Sequence, residues 1–180
     1  SVLFAGVFYF LLKKLTLETT LRKNLLFVAI VLIQVLWTNT HIYFILGPLI
    51  IGAFLVEALA YRTHDTVRIF YLLVATTLAT LVNPFGYKAL TSVVTIFQNY
   101  GYTLAENQSV LFLQRLGLSS PNFFFFTLAL FIIVGLLVGV IIRGRGRDFS
   151  LSSFLIMSGV TLLACLAVRN FALFGFFAFS

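Results

Sequence analysis

Long apolar stretches separated by short polar connections make up almost the whole chain. About 20 apolar residues cross the hydrocarbon core of a bilayer as a helix, and fewer suffice when polar ends reach the interface. Because backbone polar groups in lipid must be paired within their own segment, helices are the expected form. The pattern predicts spans at 2–12, 25–39, 42–60, 69–83, 123–142, 149–168 and 171–180.

Composition agrees with a lipid environment, since 61% of the residues are hydrophobic and only 9% are charged. A soluble domain carries roughly 25% charged residues because its surface faces water. The predicted fold class is therefore all-α, a polytopic transmembrane helix bundle of about six or seven spans. The chain begins at Ser1 in an apolar run and ends in one, so we expect a single transmembrane domain fragment, 1–180, truncated at both ends.

The distribution of lysine and arginine predicts the orientation. Loops 13–24, 61–68 and 143–148 hold four, two and three of the twelve Lys and Arg residues. The positive-inside rule assigns these three alternating loops to the cytoplasm, in a multi-pass protein of the cell (cytoplasmic) membrane. Topology thus accounts for the net charge of +7. We expect membrane lipid as a partner and no nucleic acid, and the oligomeric state stays open.

The connection between the second and third predicted spans carries Trp37, Asn39 and His41. Tryptophan is common in interfacial belts and asparagine in turns, so a structural role accounts for much of this group. His41 favours a function, because a polar ring at the start of a span needs a partner or a cavity.

A long outer loop, 84–121, follows the Asn83–Gly86 turn, which we expect to end the fourth span. Residues 89–98 could form a short amphipathic helix on the membrane surface. Just before them, Lys88 could hold a phosphate or reach lipid headgroups.

Glu106 is the only carboxylate predicted on the outer face. It could act as a general base, a metal ligand or a partner for Arg115 or Arg169. Arg169 and Asn170 interrupt an apolar stretch. Because arginine at the membrane centre costs several kcal/mol, Arg169 should lie at the outer interface or in a cavity, where it could bind a lipid phosphate.

The remaining chemistry is sparse. The single cysteine, Cys165, allows no disulfide within the chain, and with two histidines no zinc site is readable. The cofactor is therefore unknown, with a divalent metal left open.

The order of these motifs resembles a family. Five features follow one another along the chain: Leu36-Trp37-Thr38-Asn39-Thr40-His41, a glycine-containing span, Asn83-Pro84-Phe85-Gly86, the loop Glu106, and Arg169-Asn170 before an apolar segment. Over roughly 25–177 this is similar to the middle and later part of large prokaryotic membrane proteins of the GT-C type, which include polyprenyl-phosphate-sugar-dependent glycosyltransferases. The family pattern has Gly after the histidine and Trp after the glutamate, where this chain has Ile42 and Asn107.

The resemblance implies sugar transfer from a lipid-linked donor at the non-cytoplasmic face. It places Lys88, Arg115, Arg169 and Asn170 in substrate binding and suggests a donor phosphate for the cations. Catalytic contacts would come from Glu106 and His41, with Asn39 near sugar hydroxyls and Trp37 stacked on a sugar ring. Family catalytic carboxylates usually lie in the first outer loop, which this stretch does not contain.

Two other functions stay open. A transporter or flippase is expected to place polar residues at mid-bilayer depth and often to show an internal repeat. Here mid-span polar residues are few and the polar cluster lies at one face. A non-catalytic membrane scaffold would need no clustering of Glu106 with the arginines.

Overall fold

The computed structural model describes residues 1–95, 105–142 and 150–178, and these parts of the chain are helical, without a strand. The predicted all-α class is therefore confirmed. By contact, the chain divides into two compact units, Ser1–Gln98 and Asn99–Ser180.

The first unit is built from four long helices and one short helix. They are α1 (Val2–Leu17), α2 (Thr20–Thr40), α3 (Leu46–Ala60, preceded by a 3-10 turn Ile42–Ile45), α4 (Thr66–Ala79) and α5 (Lys88–Thr95). Both α1 and α4 contact α2 and α3, so the four long helices surround a common core. Its fully buried side chains include Phe8, Ile30, Trp37 and Leu72.

The second unit contains four more described helices and two 3-10 turns. They are a turn Ala105–Asn107, α6 (Val110–Arg115), α7 (Pro121–Ile142), α8 (Leu151–Leu166), a turn Val168–Asn170 and α9 (Phe171–Ala178). Phe126 stacks on Phe171 with ring centroids 4.5 Å apart and meets Phe174 edge-on at 4.9 Å. These rings join α7 to α9.

Helix ends differ from the predicted spans where polar residues continue a helix. The span predicted at 25–39 is observed from Thr20 to Thr40, because Arg22, Lys23 and Asn24 form its first turns. The span predicted at 69–83 starts earlier, at Thr66, and ends at Ala79. Hydropathy detects the apolar part of a helix, whereas hydrogen bonding sets its ends.

Two described helical segments, Thr20–Thr40 and Ile42–Ala60, are long and apolar enough to cross a membrane. Shorter apolar helices include Thr66–Ala79 and Leu151–Leu166. Along α2, Leu25, Val28, Leu32 and Leu36 recur at helical spacing and are between 55% and 66% exposed. A continuous apolar stripe of this kind is what a helix presents to lipid or to a partner.

Candidate functional site

At one end of the first unit the second and fourth connections meet. The Asn39 Nδ2 atom donates to the carbonyl of Val82, just beyond α4, at 2.8 Å, and to the carbonyl of Val35 in its own helix at 2.8 Å. The short helix α5 packs against the turn Ile42–Ile45. The segments carrying Asn39, His41 and Lys88 therefore lie at the same end of the bundle, and we call this the Asn39 end.

At the opposite end the first and third connections meet. The Lys23 Nζ atom donates to the carboxylate of Asp65, across 42 positions of sequence. The first four connections thus alternate between the two ends of the first unit. The side of the bilayer that each end faces stays a prediction, and loop 143–148 lies outside the described residues.

Trp37 lies inside the bundle. Its side chain is fully buried, stacked on Phe4 at 5.3 Å and edge-on to Phe8 at 5.4 Å. Sugar stacking on this ring would require one of the two phenylalanines to move. In this structure Trp37 fills the core where α1 meets α2.

His41 is exposed and marks the end of α2. Its backbone is extended, with φ −157° and ψ 137°, and its Nδ1 atom accepts from the Tyr43 backbone N–H at 3.3 Å. The imidazole therefore starts the turn Ile42–Ile45 and also lies on the accessible surface.

The Asn83–Gly86 turn follows α4, which ends at Ala79, four residues before Asn83. The Asn83 Oδ1 atom accepts from the Phe85 N–H at 2.8 Å, while its Nδ2 atom donates to the Thr80 carbonyl at 2.8 Å. Gly86 adopts a positive φ of 55°, which glycine tolerates readily. A helix is observed at Lys88–Thr95, where a short helix is predicted at 89–98; residues 96–98 are outside the described ranges.

In the second unit the turn bearing Glu106 contacts the turn bearing Arg169. The Val168 N–H donates to the Gln108 carbonyl at 3.1 Å, which ties the two turns together. Glu106 is exposed, and Arg169 is half-buried with its Nε and Nη2 atoms shielded from solvent. The structure thus places an exposed carboxylate and a shielded guanidinium on adjacent turns.

Asn170 holds the backbone beside this pair. Its side chain is 2% exposed, and Nδ2 donates to the carbonyl of Leu163, in the last turn of α8, at 2.8 Å. Asn170 therefore supports the turn that presents Arg169. Arg115 is exposed in the last turn of α6.

The predicted site residues fall into two groups, one in each unit. Asn39, His41 and Lys88 belong to the first unit, and Glu106, Arg115, Arg169 and Asn170 to the second. Within the described part of the chain, no three His, Cys, Asp or Glu side chains gather as metal ligands would.

Two features have no counterpart in the sequence interpretation. Gln34 is fully buried and makes interhelical contacts. A polar groove opens at the Lys23–Asp65 end. Gln34 is a polar residue in the middle of a span, 14 positions before a proline, and this spacing indicates its buried role only weakly. The groove is formed by residues distant in sequence, so no local pattern predicts it.

Comparison with protein-family models, curated proteins and solved structures gives no match for this chain.

Proposed function

We propose that this chain forms part of a multi-pass integral membrane glycosyltransferase of the GT-C type. It would transfer a sugar from a polyprenyl-phosphate donor at the non-cytoplasmic face. The observation that carries the proposal is the contact between the Glu106 turn and the Arg169 turn, fastened by the Val168 to Gln108 hydrogen bond of 3.1 Å. A carboxylate acting as general base and a guanidinium binding the donor phosphate must lie close together to act on one substrate.

The membrane setting is supported by the exposed apolar surface. Phe124, Phe125 and Phe131 of α7 are 66%, 62% and 72% exposed, which suits lipid contact. The shorter apolar helices, such as α8 with 16 residues, would span with their polar flanks at interfacial depth. With the two longer helices they would make a polytopic bundle.

The reaction assigns a task to each group. The bond between the anomeric carbon of the sugar and a donor phosphate oxygen breaks, and a bond to the acceptor oxygen forms. Glu106 would take the proton from the acceptor hydroxyl as general base. Arg169 would stabilise the negative charge that develops on the leaving phosphate, as a shielded guanidinium does well.

The proposal is tested with the full-length protein in liposomes and a radiolabelled polyprenyl-phosphate hexose. Transfer of label from lipid to a water-soluble product is measured. We expect Glu106→Gln and Arg169→Lys each to lower the rate by about 100-fold or more, the usual scale for a general base or a charge-stabilising group. Arg22→Lys, an equivalent change at an exposed position in the other unit, should leave the rate unchanged.

Absence of transfer by the unmodified protein, or equal rates in all variants, contradicts the proposal. Thermal unfolding of each variant is measured alongside, because a loss of rate without a loss of stability separates chemistry from folding.

A non-catalytic scaffold is the second candidate. It is favoured by the structural partners of Trp37, Asn39 and Asn170, which all pack or hydrogen-bond within the chain. For a scaffold, substitutions of these residues would change stability in proportion to any change in function.

A further inference from the structure

A groove of about 800 Å³ lies at the Lys23–Asp65 end of the first unit. It is formed where the first turns of α2 and α4 approach each other, next to the α1–α2 and α3–α4 connections. Its volume falls in the range of roughly 300–1,000 Å³ typical of small-molecule sites. The proposed sugar site uses none of the residues that line it.

Two cations and two carboxylates line the groove, and a third cation, the exposed Arg22 outside the lining, pairs with one of these carboxylates. Lys23 and Arg68 share the carboxylate of Asp65, with Arg68 Nη1 at 3.7 Å from Asp65 Oδ1. Glu18, also in the lining, pairs with Arg22 at 3.2 Å. One carboxylate therefore serves two cations, and an anion could take up the second.

The charged side chains that line the groove are partly buried. The side chains of Lys23, Asp65 and Arg68 are 13%, 19% and 25% exposed. Partial burial weakens solvent screening, so an anion reaching the two cations would be attracted more strongly than on an open surface. Thr20, the first residue of α2, and Thr19, which precedes it, also line the groove, and helix amino termini favour negative charge.

Apolar and aromatic side chains also line the groove. Val28 on α2 and Val67 and Tyr71 on α4 line it and are 55%, 64% and 61% exposed. One helical turn further from the charges, Leu32 of α2 and Val74 of α4 are 64% and 40% exposed. An apolar track thus leads from the charged pocket along two adjacent helices.

We propose that this groove binds an anionic phospholipid, with the phosphate held by Lys23 and Arg68. The glycerol backbone and one acyl chain would lie along Val28, Val67 and Tyr71. A charged pocket joined to an apolar track matches an amphiphile with a phosphate head, and basic pockets between membrane helices are known to bind such headgroups. Asp65 competes with the phosphate for the two cations and so sets the affinity.

The test measures lipid binding to the full protein in neutral detergent, by native mass spectrometry with phosphatidylglycerol and phosphatidylcholine. We expect phosphatidylglycerol to bind several-fold more tightly. Lys23→Gln and Arg68→Gln should each weaken it by about fivefold, the scale for one basic residue at an anionic lipid. Asp65→Asn should tighten binding, because both cations become available to the phosphate.

Lys14→Gln and Arg62→Gln are matched controls. Each removes one positive charge from an exposed position at the same end but outside the groove lining. Both control variants should change the affinity for phosphatidylglycerol by less than about twofold. If anionic lipid were attracted only by the general positive charge of this end, the affinity would fall equally in Lys23→Gln, Arg68→Gln and the two controls.

Four outcomes overturn the proposal. Three are equal affinity for the two lipids, weaker binding in Asp65→Asn, and control variants that lose as much affinity as Lys23→Gln. The fourth is soluble glycerol phosphate binding as tightly as phosphatidylglycerol, which would indicate a free-phosphate site. The sign of the Asp65→Asn effect remains decisive if Lys23→Gln folds poorly. Failure here leaves sugar transfer untouched, because that assay reports on the second unit.

Discussion

The side-chain amide of Gln34, inside α2, donates from Nε2 to the main-chain carbonyl of Phe44 at 3.0 Å. Phe44 lies four residues before Pro48, which has no N–H to pair with that carbonyl as an α-helix would require. Gln34 therefore supplies the missing donor at the kinked start of the third span. The Leu46 backbone N–H also donates to this carbonyl, so Gln34 adds a second hydrogen bond in place of the one that proline cannot make.

Replacing Gln34 should destabilise the first unit. We expect Gln34→Leu, which keeps a similar volume but has no donor, to lower the free energy of unfolding by about 1–2 kcal/mol. Thermal unfolding in detergent measures this. Gln114→Leu makes the same chemical change at an exposed position of α6 and should have little effect. Equal stability of Gln34→Leu and the unmodified protein would contradict this role of the amide.

The close approach of Gln34 to Gly47 gives a second prediction. A Cβ atom at Gly47 would lie 2.0 Å from Gln34 Oε1 and 3.0 Å from Phe8 Cε1. Gly47→Ala should therefore destabilise the protein by about 1–3 kcal/mol through overpacking.

Gly52 is the matched control for Gly47. It lies in the same helix and a Cβ there meets nothing within 4 Å. Gly52→Ala should raise the free energy of unfolding by about 0.5–1 kcal/mol, because alanine is the better helix former. Adding Gln34→Ala to Gly47→Ala should cost less than the sum of the two single changes, since the shorter side chain makes room. Simple additivity would show that the two residues do not clash.

The position of Trp37 predicts a spectroscopic result. Trp37 is the single tryptophan of the chain and lies buried against Phe4 and Phe8. Its fluorescence should be blue-shifted and poorly quenched by iodide, because neither water nor ions reach the indole. Phe4→Ala should increase the quenching. Strong quenching in the unmodified protein would show that the ring is open enough to stack on a sugar.

The orientation can be tested by labelling single cysteines in intact cells with a membrane-impermeant maleimide. The background is Cys165→Ser, because Cys165 is exposed. Lys88→Cys should react from outside, whereas Arg62→Cys should react only after the membrane is made permeable, as the positive-inside rule requires. Both positions are exposed, so burial does not block either reaction. Labelling of both from one side would rule out the predicted topology.

The structure brings only some of the predicted site residues together. Glu106 and Arg169 are brought onto contacting turns, and Asn39, His41 and Lys88 share one end of the first unit. Trp37 and Asn170, expected to contact substrate, instead pack inside the chain. The indole of Trp37 combines apolar area with one N–H, and the amide of Asn170 bonds equally well to backbone or to a ligand, so a sequence pattern does not distinguish an interfacial role from a buried one.

The sequence by itself determined the helical class and the approximate positions of the long helices, whereas α6 (Val110–Arg115) lies within the stretch predicted as an outer loop. Long apolar runs leave the backbone no other way to pair its polar groups, so this information is local. It also determined where turns occur, since Asn83, Pro84 and Gly86 restrict or permit backbone angles on their own.

Only the tertiary structure decided which polar residues meet. Packing between helices brings together three pairs: Gln34 with Phe44, Lys23 with Asp65, and the turn of Glu106 with that of Arg169. The rotation of each helix about its axis chooses these contacts. In a chain this apolar, the different faces of a helix are nearly equal in hydrophobicity. The periodicity of apolar residues therefore does not determine the rotation of the helix, and side-chain packing sets it.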